Sequence, residues 1–207
     1  MIAIVDYKAG NLTSVLLAFK ALNVEAQITS DPGVVAAADR VVFPGVGAAG
    51  DAMQHLHEMK LLQPLRDAVD SGKPFLGICL GTQIILEHSE EDGGVDTAGI
   101  LPGKVIRFRP SSKWDKIPQM GWNAVHVVRD HPVFDGIEDE SEFYFVHSFY
   151  PAPASDDLIL GQSTYADVTF ASAMSRNNLV ATQFHPERSG RIGLRVLENF
   201  SRWDGSC

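Results

Sequence analysis

The sequence predicts an α/β fold built on a mostly parallel central sheet flanked by helices, with antiparallel additions in the second half. Three observations carry the prediction. Short β-rich runs alternate with helical patterns through the first half, as in βα units wound around a parallel sheet. Past Glu91-Asp92-Gly93-Gly94 the pattern changes to β runs separated by Gly, Pro, Asn and Asp turns. Finally, 207 residues with 45% hydrophobic and 21% charged side chains suit one domain, and no linker, repeat or low-complexity tract divides residues 1–207.

Met1 to Val5 reads as a buried strand followed by the loop Asp6 to Gly10. Asn11 can cap a helix whose apolar positions Leu12, Val15, Leu16, Phe19 and Leu22 follow the helical period. A second strand lies near Glu25 to Ile28, and the Asp31-Pro32-Gly33 turn leads into an alanine-rich segment. Arg40 to Phe43 is a short β run that stops at Pro44-Gly45-Val46-Gly47. Helical patterning covers about Gly50 to Asp70, with an interruption or joint near Pro64. After the loop Ser71 to Pro74, Phe75 to Ile78 is a strand and Leu80 to His88 a helix, so Cys79 falls on the junction. The later β runs are Gly103 to Phe108, Trp122 to Val128, Phe143 to Phe149, Leu158 to Tyr165, Val168 to Ser175 and Leu179 to Phe184. Ile192 to Trp203 closes the chain as a helix able to cover one sheet face.

Composition narrows the function. Acidic residues outnumber basic ones 26 to 17, a formal net charge of −9. No Lys/Arg cluster breaks that background enough to follow a phosphate backbone, so nucleic acid is not an expected partner. Every apolar stretch is interrupted well before the roughly 18 residues a membrane span needs. Met1 to Val5 also runs into Asp6 without a basic leader. No membrane association is expected, and a cytoplasmic location is. The two cysteines, Cys79 and Cys207, offer no disulfide framework, which fits a reducing compartment.

The junction Gly77-Ile78-Cys79-Leu80-Gly81 is a G-x-C-x-G pentapeptide, the cysteine counterpart of a nucleophile elbow. A sharp strand-to-helix turn would project the thiol, side chains in place of the glycines would crowd it, and the helix N-terminus would favour thiolate. A small buried core cysteine is the competing reading. Pro44-Gly45-Val46-Gly47 follows a strand, where α/β sheets present ligand loops. Val46 could supply a backbone N–H to an oxyanion beside that of Leu80, although a plain tight turn fits as well. His185-Pro186-Glu187 follows another apolar run, so His185 could serve Cys79 as base with Glu187 orienting it. A histidine at a strand end is also often a surface or capping residue. No histidine pair has metal-ligand spacing with carboxylate or cysteine, and no metal or cofactor is expected.

Together these motifs resemble the class I, triad-type glutamine amidotransferases, whose fold is an α/β sheet with Cys, His and Glu at strand ends. Asp6-Tyr7, Gly10-Asn11-Leu12, Pro44-Gly45-Val46-Gly47, Met120-Gly121-Trp122-Asn123, His147-Ser148 and His185-Pro186-Glu187 are more narrowly similar to the glutaminase subunits of imidazole glycerol phosphate synthases. The resemblance implies a Cys79, His185, Glu187 triad, an oxyanion hole at Val46 and Leu80, and a glutamine pocket at Gly47, Gln83, Ser148 and Phe149. It further implies a heterodimer with a (β/α)₈-barrel synthase subunit, docked through Met120, Trp122, Asn123 and Arg188. Read without it, Gln83 solvates a helix, Ser148 ends a strand and Trp122 is the core tryptophan of a hairpin. Lys8, Thr82 and Arg188 depart from the family pattern, which has glycine, methionine and lysine there. Arginine for lysine is not a neutral exchange at an interface.

Three other functions compete. Another triad glutaminase, such as one serving pyridoxal phosphate synthesis, would lack the Met120 to Asn123 segment. A cysteine redox sensor or chaperone has no need of His185-Pro186-Glu187. A purely partner-binding subunit does not need all three triad positions.

Overall fold

The computed structural model describes residues 1–206, so Cys207 lies outside the described residues. In its first half, strands alternate with helices: β1 (Ile2–Val5), α1 (Leu12–Ala21), β2 (Ala26–Thr29), α2 (Pro32–Ala37), β3 (Arg40–Gly45), α3 (Ala49–Glu58), α4 (Leu62–Asp70), β4 (Phe75–Cys79) and α5 (Leu80–Ile84). Mostly strands follow: β5 (His88–Ser89), β6 (Val95–Asp96), β7 (Gly103–Arg107), β8 (Gln119–Val127), β9 (Ser141–His147), β10 (Phe149–Pro153), β11 (Ile159–Tyr165), β12 (Val168–Arg176) and β13 (Leu179–Thr182). The last helix is α6 (Gly190–Arg202).

Nine strands form one sheet in the order β2-β1-β3-β4-β13-β12-β11-β8-β9. From β2 to β13 the pairs are parallel, and from β13 to β9 they are antiparallel. The predicted architecture therefore holds. The parallel part is covered on both faces, which is why β1, β3 and β4 read as apolar runs without alternation. Val41, Phe43 and Phe75 pack with α3, α4 and α5, whereas Val42, Leu76 and Ile78 pack with α1 and α6. The period-two alternation of side chains thus divides one apolar run between two cores. A separate four-stranded sheet, β10-β7-β5-β6, was not predicted.

Four local expectations are corrected. Asn11 does not cap α1 with its side chain; it adopts φ 72° and its amide points elsewhere. The joint between α3 and α4 is at Lys60, φ 56°, rather than at Pro64. There Lys60 N–H donates to His57 O and Leu61 N–H to Leu56 O, closing α3 in a Schellman turn. Pro64 sits in the first turn of α4, where a missing N–H breaks no helical bond. Helix α5 ends at Ile84 instead of His88 because the following carbonyls are taken from outside: Ala98 N–H binds Ile84 O, and Ile100 and Leu101 N–H bind Ile85 O, each at 2.8 Å. Finally, Phe143 to Phe149 is two strands, broken at Ser148, where the chain leaves the large sheet to pair with β7.

Helix α3 has no capping side chain of its own. Glu91 and Asp92 accept from Ala49 N–H (2.8 Å) and Gly50 N–H (3.0 Å), so the loop after β5 supplies the cap and the charge the helix start favours. His147 joins three strands: its Nδ1 meets Phe149 O at 2.7 Å and its Nε2 meets the Gln119 side chain at 3.0 Å. Burial holds this ring neutral, with a pKa near 4. The two atoms that face the ring, Phe149 O and Gln119 Oε1, are both acceptors, so a neutral His147 donates to one of them at a time.

The two elbow glycines differ. A Cβ on Gly81 would stand 1.8 Å from Phe43 O, whereas one on Gly77 would meet Ala181 Cβ at 3.2 Å and the Thr82 backbone at 3.4 Å. Gly81→Ala should therefore cost at least about 3 kcal/mol of stability and Gly77→Ala about 1 kcal/mol, as read by urea unfolding; equal costs would contradict this packing. His147 should also make the fold acid-sensitive. Its unfolded value of 6.5 lies above its folded value of about 4, so the unfolded chain takes up a proton that the fold refuses. Stability is unaffected above 6.5 and falls as pH drops toward 4, by up to about 3 kcal/mol. A His147→Gln variant should lose less stability between about pH 7 and about pH 4.5 than the parent does; identical losses would refute the assignment.

Candidate active site

Three neighbouring parallel strands bring the separated motifs together. Across β3 and β4, Gly45 is level with Cys79; across β4 and β13, Ile78 is level with Thr182. Val46-Gly47, the cysteine elbow and His185 consequently follow the same ends of adjacent strands, where α/β sheets open a crevice.

Cys79 adopts φ 52°, ψ −108°, a strained conformation for a residue with a side chain. It is buried at 6% exposure. Its Sγ lies 3.9 Å from Val146 O and accepts from Gln183 Nε2 at 3.7 Å. With five residues, α5 gives the thiol a shorter helix than the sequence predicted. Beneath the elbow, Tyr7 is packed against Gly45, where a Cβ would strike its hydroxyl at 1.8 Å. Burial and then the charge of an ionised Cys79 hold Tyr7 firmly protonated.

His185 and Glu187 form a buried pair: Nδ1 meets Glu187 Oε1 at 2.8 Å, with side-chain exposures of 1% and 0%. The same Glu187 oxygen accepts from Asn11 Nδ2 at 2.6 Å. This use of Asn11 was missed in the sequence, where asparagine before a helix suggests a cap. Its left-handed backbone, which asparagine tolerates, turns the amide toward Glu187 instead. The turn Pro186–Arg188 is pinned to β9 by His185 N–H to Tyr144 O (2.9 Å) and by Ser189 Oγ, which donates to His185 O and accepts from Tyr144 N–H. His185 Nε2 has no closed hydrogen bond within the protein, and it faces the Cys79 sulfur. Burial opposes charging of the ring, but an ionised Cys79 and then Glu187 outweigh it and push its pKa up to about 10.

A cavity of about 330 Å³ opens onto Cys79, at the lower end of the range for ligand pockets. Val46, Gly47, Leu80, Gln83, Ser148 and Phe149 all line it. Gly47 holds φ 122°, a conformation that glycine allows. Gln83 is 5% exposed, which sets aside its reading as a solvated helix residue. Both N–H bonds of its amide are spent on Phe149 O (3.0 Å) and Gln183 Oε1 (2.9 Å), leaving its oxygen for a ligand. Glu91 also lines the cavity and was missed in the sequence, because nothing local distinguishes it from Glu90. Burial raises its pKa, partly offset by the Ala49 N–H.

The residues expected at an interface lie beside the turn. Met120 and Trp122 are 65% and 54% exposed on β8, so Trp122 is not a core tryptophan. Trp122 meets Tyr144 edge-on at 6.2 Å, and the Arg188 guanidinium stacks on the same Tyr144 ring at 5.0 Å. Asn123 alternates to the opposite side of β8 and spends its amide on Thr164 O at 3.1 Å. Away from the cavity, exposed His126, Asp139 and Glu140 are the one grouping among the described residues close enough to share a cation. The described residues include no helix long and apolar enough to cross a membrane.

The class-I glutamine amidotransferase family matches the chain over residues 3–202. Imidazole glycerol phosphate synthase subunit HisH of Methylococcus capsulatus is 48% identical over 211 residues, covering 98% of this chain and 96% of that protein. The subunits of the same name from Nitrosococcus oceani and Methanothermobacter thermautotrophicus are each 47% identical, covering 99% and 97% of this chain and 98% and 97% of theirs. Among solved structures, PurLQS from Thermotoga maritima aligns with a TM-score of 0.76 at 18% identity over 96% of each chain. The glutaminase domain of Trypanosoma brucei CTPS aligns at 0.66 and 16% identity, over 100% of this chain and 97% of that one. The structural likenesses speak for the fold, and the near full-length sequence similarity goes further: this chain belongs to the class-I glutamine amidotransferases, in the family of the imidazole glycerol phosphate synthase HisH subunits.

Proposed function

We propose that the chain is the glutaminase subunit of an imidazole glycerol phosphate synthase, hydrolysing glutamine through Cys79, His185 and Glu187 and delivering the ammonia to a synthase partner in histidine biosynthesis. The observation that carries the residue assignment is the convergence of a strained cysteine, a buried His–Glu pair and a cavity at the ends of β4 and β13.

In this reading the Cys79 thiolate attacks the side-chain amide carbon of glutamine. The developing oxyanion is met by the N–H groups of Leu80 and Val46. His185, charged beside a thiolate and steadied by Glu187, gives its proton to the departing nitrogen, and ammonia leaves a γ-glutamyl thioester. The neutral imidazole then takes a proton from water, whose oxygen attacks the thioester carbon. Glutamate departs and the thiolate returns. Asn11 supports the pair by sharing the Glu187 oxygen that His185 uses. At the other end of the cavity, Glu91 suits the α-ammonium group of glutamine, and Gly47, the Gln83 oxygen, Ser148 and Phe149 hold the rest of the substrate's amino acid end.

The partner, in this reading a (β/α)₈-barrel subunit in a heterodimer, docks on the exposed Met120, Trp122 and Arg188 surface, with Asn123 bracing β8 from behind. An aromatic anchor flanked by a stacked arginine suits an interface centre. Val46, partly exposed between two glycines, can turn its N–H when the partner binds. Joining an ammonia-using synthase fits a cytoplasmic biosynthetic enzyme.

The test compares nitrogen sources in the assembled complex. Cys79→Ala should lower glutamine-driven synthesis by roughly 10⁴-fold or more while leaving synthesis driven by ammonium salt near the parent's rate. Glutamine-driven turnover within tenfold of the parent's would reject Cys79 as nucleophile.

A further inference from the structure

We propose that Gln183 is a positioning residue for Cys79: its side-chain N–H, aimed by Gln83, holds the sulfur and favours its thiolate. The inference rests on Cys79 being the nucleophile. It starts from the Phe149 carbonyl, a backbone group that can only accept. Gln83 Nε2 stands 3.0 Å from that oxygen, so the nitrogen of this amide, and not its oxygen, faces Phe149. The second N–H of the same nitrogen reaches Gln183 Oε1 at 2.9 Å. With its oxygen committed to accepting, Gln183 must present Nε2 to Cys79 Sγ, 3.7 Å away. One backbone carbonyl thus fixes the direction of every bond up to the sulfur.

The end of this chain that meets the sulfur is closed to solvent. Gln183 is fully buried and its own backbone N–H donates to Ser172 O at 2.8 Å. Turning either amide over would set two oxygens or two nitrogens face to face.

The chemistry favours one state of the sulfur. An N–H bond to a thiol is weak, but to a thiolate it is charge-assisted and stronger. The Val146 carbonyl at 3.9 Å acts in the opposite sense, because an acceptor can hold only the protonated S–H. The titratable groups around the sulfur are His185 after β13 and Tyr7 after β1, with Glu187 behind His185, and Glu91 and His147 in the wall of the same cavity. His185 provides the mobile proton and Gln183 a dipole that does not titrate. Removing that dipole shifts the sulfur toward the protonated, Val146-bound form.

The test follows alkylation of Cys79 by iodoacetamide against pH in the full chain, read on the Cys79 peptide by mass, with glutamine kinetics measured in the assembled complex. Gln183→Met removes the donor at similar length. Gln183→Glu keeps an acceptor for Gln83 and sets an oxygen against the sulfur. Gln83→Met leaves Gln183 in place but frees its amide to turn. The alkylation midpoint should rise in all three, by about one pH unit in Gln183→Met and further in Gln183→Glu. In Gln183→Met, kcat should fall roughly tenfold while KM changes less than about threefold. An unchanged midpoint in Gln83→Met and in whichever Gln183 variant folds would overturn the proposal and leave Gln183 a packing residue, even if kcat fell. Should both Gln183 variants fail to fold, the Gln83→Met midpoint alone decides. Failure of the nucleophile assignment is distinguishable, since it requires Cys79→Ala to retain glutamine-driven turnover.

Discussion

The left-handed backbone of Cys79, at the end of a strand clamped between two parallel neighbours, is the constraint on which the site depends. Strain of this kind persists only where the surroundings over-determine it. Here β3 fixes it from one side, because Gly81 lies so close to the Phe43 carbonyl that any side chain would collide. From the other side β13 pairs with β4 up to Ile78 and delivers His185 three residues beyond its own end. The helix after the elbow is cut short for a related reason: the carbonyls past Ile84 hold the 98–101 segment, which leads on to β7 and the second sheet. That sheet takes up β10, whose first residue, Phe149, walls the cavity.

Two hydrogen-bond chains lead toward the sulfur, ending on residues two positions apart, His185 and Gln183. One runs from Asn11 through Glu187 to His185, the other from the Phe149 carbonyl through Gln83 to Gln183. In the proposed mechanism the first moves protons and the second does not. The first leaves His185 Nε2 without a partner in the protein, and the second spends both Gln83 N–H bonds on its way to the sulfur. The proposed nucleophile is thus held between a partner that titrates, His185, and one that does not, Gln183.

The sheet was legible because its parallel strands are apolar runs ended by glycine or proline and separated by helical periods, as in Arg40 to Gly47 and Phe75 to Gly81. The candidate site was legible where its chemistry is local, since the elbow and His185-Pro186-Glu187 carry their signals within a few residues; Gly47, Gln83, Ser148 and Phe149, which line one cavity, came only from the family resemblance. What escaped depends on partners distant in the chain. Asn11 and Glu187, Gln83 and Gln183, and the capping of α3 by Glu91 and Asp92 are contacts that no period or propensity encodes. Helix α5 was overextended for the same reason, since propensity does not reveal which carbonyls tertiary partners will claim. Pro64 misled because a proline in a first turn and one in a helix interior read alike in sequence.

The proposal that Cys79 is the reacting atom is tested most directly by a covalent snapshot of the site. The assembled complex, treated with an electrophilic glutamine analogue such as a chloroketone or diazoketone amino acid, can be digested and the modified peptide mapped by mass. The account predicts a single adduct on Cys79, suppressed by excess glutamine. A glutamine-protected adduct on another residue, with Cys79 unmodified, would contradict it.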